Sequence, residues 1–387
     1  MKRLFPAVLL CLVLTVVFTS CASTQLSVPE GARSVTFRSQ GQPLAVSAVK
    51  DDGTFRLPRD PVRRGYSFNG WWVTCTEGVI ELTADWFVSH PEAGQVTADA
   101  RWINTSYTRQ KLGTMGLSQD GAVSGDYLMR LNASGVSSVY YMPERRYAAT
   151  LYLDQNALDR FTPHSNCACF GCTYFAEGDE FPLFYTNAYN NYDTSLDRLF
   201  GTIGVYRITR DGRRFSAEIV QIIRIGFDQD TSLWLSGIGA DRSPYGNMVI
   251  DTDNGKMWFF VTRDEPKTTR FFCFDIPSPG DGTYSEQFGV NLVVLRKEDI
   301  IRMFDVPYSY YLQGACYHDG RIYSTEGMGT GVNPDVIRVI DLENAVEDSV
   351  IDLFSDGYWK EVEFIDFYNG DCYLGDISQT MYILTGV

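Results

Sequence analysis

The sequence predicts an all-β protein, and two observations carry that prediction. The first is composition. Tyr and Phe number 23 and 24, aromatics reach 14% of 387 residues, and charged residues stop at 21%. Disordered chains have the opposite balance, and aromatic side chains favour the pleated surface of a strand. The second is pattern. From Asn104 onward, short alternating apolar segments recur, separated by Asp-Gly or Asn-Gly pairs that mark tight hairpins. A chain of this length divides into two or three folding units.

The formal net charge of −15 excludes one class of partner at once. Nucleic-acid affinity depends on Lys and Arg neutralising phosphates, so no nucleic-acid partner is expected. Peripheral attachment to anionic lipid is disfavoured for the same reason.

The chain opens with a segment that reads as a signal. Lys2 and Arg3 precede a nearly unbroken apolar run from Ala7 to Phe18, which ends in Phe18-Thr19-Ser20-Cys21. The run is short of the ~20 residues a membrane-spanning helix needs, and it suits the apolar part of an export signal. Its last four residues resemble the lipobox of bacterial lipoproteins, with Phe18 where that pattern has Leu. The resemblance implies that residues 1–20 are removed and that Cys21 becomes the acylated, palmitate-bearing first residue. It also implies a place in the bacterial cell envelope, lipid-anchored to a membrane, with the outer membrane the expected one. Loss of Lys2 and Arg3 takes the charge from −15 to −17. Residues 21–33 then read as a polar tether.

Residues 34–103 carry a distinct local signature. Val35-Thr36-Phe37 opens it, Arg64-Gly65-Tyr66-Ser67-Phe68-Asn69-Gly70-Trp71 forms its centre, and Ala98-Asp99-Ala100-Arg101-Trp102 closes it. Tyr66, Phe68 and Trp71 are expected to pack around a turn at Gly65 and Gly70, with Trp102 as a late anchor. The segment is similar to one copy of the Listeria–Bacteroides (internalin B-type) repeat. That resemblance implies a small β-grasp-like module used for surface display and protein contacts, without catalysis.

Residues 104–387 repeat a two-tier pattern. Three hairpins stand out: Val249 to Phe259, Ala315 to Tyr323 and Phe364 to Leu374. Each is followed by further strands, Phe271 to Asp275 with Val290 to Leu295 and Val336 to Asp341 with Val350 to Phe354. Inner hairpin then outer hairpin is the pattern of a β-propeller blade, and counting inner hairpins gives about five blades. The last strand, Met381 to Leu384, is expected to close the ring on a strand near Tyr127 to Tyr141 and so remove the free edges. A β-sandwich is the alternative arrangement of such strands.

Candidate site residues fall into three groups. His164-x-x-Cys167-x-Cys169-x-x-Cys172 is the densest set of metal-capable side chains. Its spacing is not that of a zinc finger, and export favours a disulfide, with Cys75, Cys273, Cys316 or Cys372 as possible partners. Buried thiols and zinc remain as alternatives. Second, ligands of propellers enter at one mouth of the central channel, and Gln313, His318 and Glu326 bracket one inner hairpin. Tyr185, Asn187 and Asn190 lie in a polar-aromatic run whose rings and amides suit sugars.

Third, Asp251, Glu326 and Asp376 are candidate acids and bases for glycan chemistry. Asp251-x-Asp253-x-Gly255-x-x-Trp258 also resembles the Asp-box turn of sialidase-type propellers, a structural feature. Only three His occur, none in a hydrolase motif, and neither a dinucleotide fingerprint nor a Walker loop is present. No cofactor is expected. The reading is a non-catalytic lipoprotein that binds a glycan or protein, with a glycan-active hydrolase or lyase as the alternative.

Overall fold

The computed structural model describes residues 28, 31–154, 160–188, 201–227, 233, 246–264 and 266–387. Cys21 and Asn190 lie outside the described residues. The architecture is all-β, a small mixed sheet followed by a five-bladed β-propeller.

The small sheet uses β1 (Ser34–Ser39), β2 (Gln42–Ala48), β3 (Tyr66–Cys75), β4 (Gly78–Glu81) and β5 (Gln95–Asn104), with a four-residue helix α1 (Trp86–Ser89) before β5. β1 pairs antiparallel with β2 and parallel with β5, while β3 pairs antiparallel with both β4 and β5. Val35, Phe37, Trp71, Val73, Phe87 and Trp102 form its own core. The Tyr66–Trp71 segment is a continuous strand rather than a turn. Gly70, at φ +86°, makes a bulge between Phe68 and Trp71 that lets both rings reach the core face.

The propeller begins with β6 (Thr108–Thr114) and its first blade, β7 (Gly121–Ser124), β8 (Tyr127–Leu131), β9 (Val136–Tyr141) and β10 (Arg146–Tyr152). The second blade is β11 (Ala168–Phe170), β12 (Phe184–Asn187), β13 (Thr202–Asp211) and β14 (Arg214–Ile225). The third starts with β15 (Gly246–Asp251), β16 (Lys256–Asp264) and β17 (Lys267–Asp275). The chain then leaves it for β18 (Thr283–Ser285) and β19 (Val290–Leu295), which add to the edge of blade two through a parallel β14–β19 pairing. It returns as β20 (Arg302–Pro307), the outer strand of blade three. Val290 to Leu295 is therefore not the partner of Phe271 to Asp275, because the intervening segment crosses to the neighbouring blade.

Blade four is β21 (Leu312–His318), β22 (Arg321–Glu326), β23 (Val336–Asp341) and β24 (Val346–Asp352). Blade five is β25 (Val362–Tyr368), β26 (Asp371–Asp376) and β27 (Thr380–Thr385), completed by β6. The ring closes as Thr380 opposite Thr114 through Thr385 opposite Thr108. The expected partner, Tyr127 to Tyr141, is occupied by the β8–β9 hairpin of blade one. β6 escaped notice because Thr-Arg-Gln-Lys-Leu-Gly-Thr is an outer strand with a half-exposed, polar pattern.

Five apolar clusters fill the five gaps between successive blades, among them Tyr185, Met248, Phe259 and Phe272 between blades two and three. A fully buried Phe contributes roughly 1.5–3 kcal/mol relative to exposure, so these gaps hold the ring together. Trp258 packs in the gap between blades three and four, beside Phe304. Asp251 below it closes an Asx turn, accepting the N–H groups of Asp253 and Asn254. The small sheet docks through Arg63 on Asp348, through Arg101 on Glu347, and through single residue pairings of β5 with β24 and β4 with β17.

Candidate binding site at the channel mouth

The innermost strands β7, β11, β15, β21 and β25 stand side by side around the axis. Their register fixes which residues meet at each end. Gly121 is opposite Arg130, Ala168 opposite Thr186, Leu312 opposite Glu326 and Val362 opposite Asp376. Gln119, Asp120, Asn187, Gln313, Glu326, Glu363 and Asp376 therefore gather at the end where the inner strands begin, here called the mouth.

Its centre is polar and tightly built. Asp120, fully buried, accepts the N–H of Ala168 at 3.0 Å and of Ala315 at 3.3 Å, so one carboxylate ties three inner strands. Gly314 permits this, since a Cβ there would meet the Glu363 carbonyl at 2.6 Å and Asp120 Oδ1 at 2.9 Å. Arg130, also fully buried, donates to the carbonyls of Leu117 at 2.7 Å and Gln119 at 2.9 Å and lies over the Phe364 ring. Gly116, Gly121 and Gly375 form its slot, where any Cβ would fall within 3 Å of the guanidinium or its stem. Burial pushes the Asp120 and Glu363 carboxyls well above the usual carboxylate range and pulls Arg130 down. Asp120 Oδ1, Gln119 Oε1 and Glu363 Oε2 have no hydrogen-bond partner.

One side of the mouth opens into a lip on blades four and five. Gln313 Nε2 donates to Glu361 Oε1 at 2.5 Å and to the Gly327 carbonyl at 3.3 Å, and Gly327 N–H in turn donates to the Tyr311 carbonyl. Gly329, at φ +64°, lies against the Trp359 backbone. These contacts hold exposed Tyr310 (54%), Tyr311, Met328 and Trp359 (66%) beside the half-buried Glu361. Burial raises the Glu361 carboxyl and lifts that of Asp335, on the same lip, to about 7. Lys360 Nζ lies 3.5 Å from Asp376 Oδ2.

The expected site residues are divided by this geometry. Gln313, Glu326, Asn187 and Asp376 stand at the mouth, but His318 and Asp251 stand at the opposite end of their strands. Five residue steps of strand put roughly 17 Å between Gln313 and His318, so the two cannot share a ligand. His318 stacks on Phe367 at 3.8 Å, and burial lowers its pKa. It lines a cavity of about 240 Å³ facing the small sheet.

Tyr185 is fully buried between blades and offers no stacking face. Asn187 is structural, accepting from Cys167 N–H at 3.0 Å and donating to the Gly246 carbonyl at 2.9 Å. Glu326 is held by Arg338 at 2.8 Å. Asp251, Glu326 and Asp376 thus form no common acid–base set.

The His164, Cys167, Cys169 and Cys172 cluster also separates. The Cys167 thiol donates to the Met248 carbonyl, Cys169 lies in the gap between blades two and three, and Cys172 is exposed. The seven described cysteines are free, so the expected disulfide does not form among them, Cys75, Cys273, Cys316 and Cys372 included. Two Cys on alternating strand positions are held by separate packing partners rather than by each other.

Sequence reasoning missed Asp120, Arg130, Glu361, Glu363, Tyr310, Tyr311 and Trp359. A usable signal was present: Tyr308-Ser309-Tyr310-Tyr311 and Tyr358-Trp359-Lys360-Glu361 each directly precede an inner strand.

No protein-family model matches the chain, and no curated protein matches it in sequence. Among solved structures it is similar to Myxococcus xanthus glutaminyl cyclase, with 11% identity over 72% of this chain and 93% of that one, at a TM-score of 0.38. It is also similar to Kuenenia stuttgartiensis hydrazine synthase, with 11% identity over 93% of this chain and 77% of that one, at a TM-score of 0.31. Neither likeness bears on function at such scores.

Proposed function

We propose that this protein is an exported, lipid-anchored envelope protein whose propeller captures a glycan at the lip of blades four and five, without turning it over. A protein ligand is the other occupant of the same lip. One observation carries the reading: Tyr310, Tyr311 and Trp359 are exposed around the Gln313–Glu361 pair. Aromatic faces stack on the apolar faces of sugar rings, while the amide and carboxylate bond ring hydroxyls. The anchor rests on the signal-like residues 1–20 and Cys21, and the absence of a nucleic-acid partner on the acidic charge.

A glycan-array screen of the purified protein, with mass spectrometry of the supernatant, tests this. Binding without products is the expected result. Products would replace it with the second reading, a glycan-active hydrolase or lyase, which the raised Glu361 and Asp335 carboxyls favour as proton donors. In that case Glu361→Gln would abolish turnover and retain binding.

A further inference from the structure

A second cluster lies far from the mouth, in the small sheet. Cys75 ends β3, Glu77 sits in the turn to β4, and His90 follows α1. Their Sγ, carboxylate O and imidazole N atoms lie within 4.8 Å of one another, the one such convergence of three metal-capable groups among the described residues. We propose that Cys75, Glu77 and His90 bind a zinc ion, with water in the fourth position.

The donor set favours that metal. Thiolate, imidazole and a single carboxylate together suit zinc rather than calcium or magnesium, which take oxygen ligands. The spacing is close to what the ion needs. Zinc bond lengths imply tetrahedral edges of about 3.3 Å from N to O and about 3.5 Å from S to O. His90 Nε2 lies 2.8 Å from Glu77 Oε2, and Cys75 Sγ lies 3.3 Å from the same oxygen. The pairs have to open by only about 0.5 Å and 0.2 Å, and the Glu77 side chain is exposed and can move.

The outer arrangement is also that of a ligating histidine. His90 Nδ1 lies 2.8 Å from the Trp86 carbonyl, and the ring is stacked on the Trp86 indole at 4.0 Å. A donated Nδ1–H fixes the tautomer and turns the Nε2 lone pair towards Glu77 and Cys75. Coordination then replaces the Cys75 thiol proton and any proton on Nε2, both of which leave to solvent.

The ion would add to the His90–Glu77 contact and the shared apolar core that already join two pieces of chain. It would tie the end of α1 to the β3–β4 tip, and that tip is also a contact with the propeller. Gly78 pairs with Lys267 of β17, whose N–H donates to the Glu77 carbonyl at 3.3 Å. A Cβ at Gly78 would meet the Lys267 carbonyl at 2.4 Å, so the tip is shaped to this approach. Metal loading would stiffen the joint between the small sheet and blade three.

Cobalt(II) titration of the purified, reduced full chain tests the proposal. A thiolate-to-cobalt charge-transfer band saturating at one equivalent, and displaced by zinc, is expected. Cys75→Ser should abolish the band, and His90→Gln or Glu77→Gln, each removing a ligand, should weaken binding by more than the ~10–100-fold that losing an outer hydrogen-bond partner costs. Cys172→Ser, at an exposed thiol in blade two, should leave it unchanged. Absence of the band in the unsubstituted protein overturns the proposal whatever the variants do. So does a band that survives Cys75→Ser or depends on Cys172.

Discussion

The two ends of the propeller axis are made by the same five strands, yet they are built on opposite principles. At the mouth, inner strands are entered through connections of four residues or more, and buried carboxylates, amides and Arg130 meet there. At the other end three of the five inner strands turn back through two-residue hairpins, Gly125-Asp126, Asp319-Gly320 and Asn369-Gly370, whereas β15 turns through residues 252–255 and β11 reaches β12 through residues 171–183. The two-residue turns leave no chain to build with. That end is instead covered by the small sheet, where Arg63 reaches Asp348 and His318 stacks on Phe367. On blades four and five the mouth connections, residues 308–311 and 353–361, are longer than the two-residue turns opposite them, and they carry the lip.

The largest effect is expected at the centre of the mouth. Arg130→Leu removes a buried cation from its glycine slot and leaves Asp120 and Glu363 without it, so we expect about 3–5 kcal/mol of destabilisation in chemical denaturation. A loss below ~1 kcal/mol would mean that the mouth is held by packing alone, like the opposite end. At the opposite end, Arg63→Ala leaves the nearly buried Asp348 unpaired and should cost about 1–3 kcal/mol. Ligand capture should be untouched, and a change in capture would show that the two ends communicate.

On the lip, Trp359→Ala should weaken glycan capture about tenfold, with stability moved by less than ~0.5 kcal/mol because the ring is exposed. The Asp335 carboxyl, raised to about 7 by burial, binds a proton more tightly folded than unfolded. Stability should therefore decline as pH rises from its ordinary carboxylate range through about 7, and Asp335→Asn should flatten that decline in a thermal-unfolding pH series. The smallest effect is expected at His318→Phe, which keeps the stack on Phe367; capture on the lip should not change.

The sequence made the inner hairpins legible because their turns demand particular residues. Asp-Gly and Asn-Gly name the β21–β22 and β25–β26 turns outright, and the strands alternate on either side. β6 and the β18–β19 excursion were not legible, since their pairings are set by tertiary neighbours rather than by local pattern. The site was read least well. Asp and Glu number 48, and nothing local marks Asp120 or Glu363 as the ones that register brings to the axis. Tyr185 and Asn187 were attractive as a sugar platform, yet β12 is an interior strand with all four residues buried. Cys75 and His90 converge only because α1 brings the chain back to the β3–β4 turn.

The strand pairing that closes the ring sets an order of events in time. Thr108 and Thr385 meet across 277 positions, and β27 is the last propeller strand to be synthesised. No ring exists until that strand emerges, so every earlier stage exposes the β26 edge and the unfilled gap beside blade one. A chain cut short before Thr380 would yield four complete blades, a fifth reduced to β25 and β26, and an open, sticky circle. Quality control during biosynthesis therefore has a single late checkpoint, the arrival of Thr380–Thr385 beside β6.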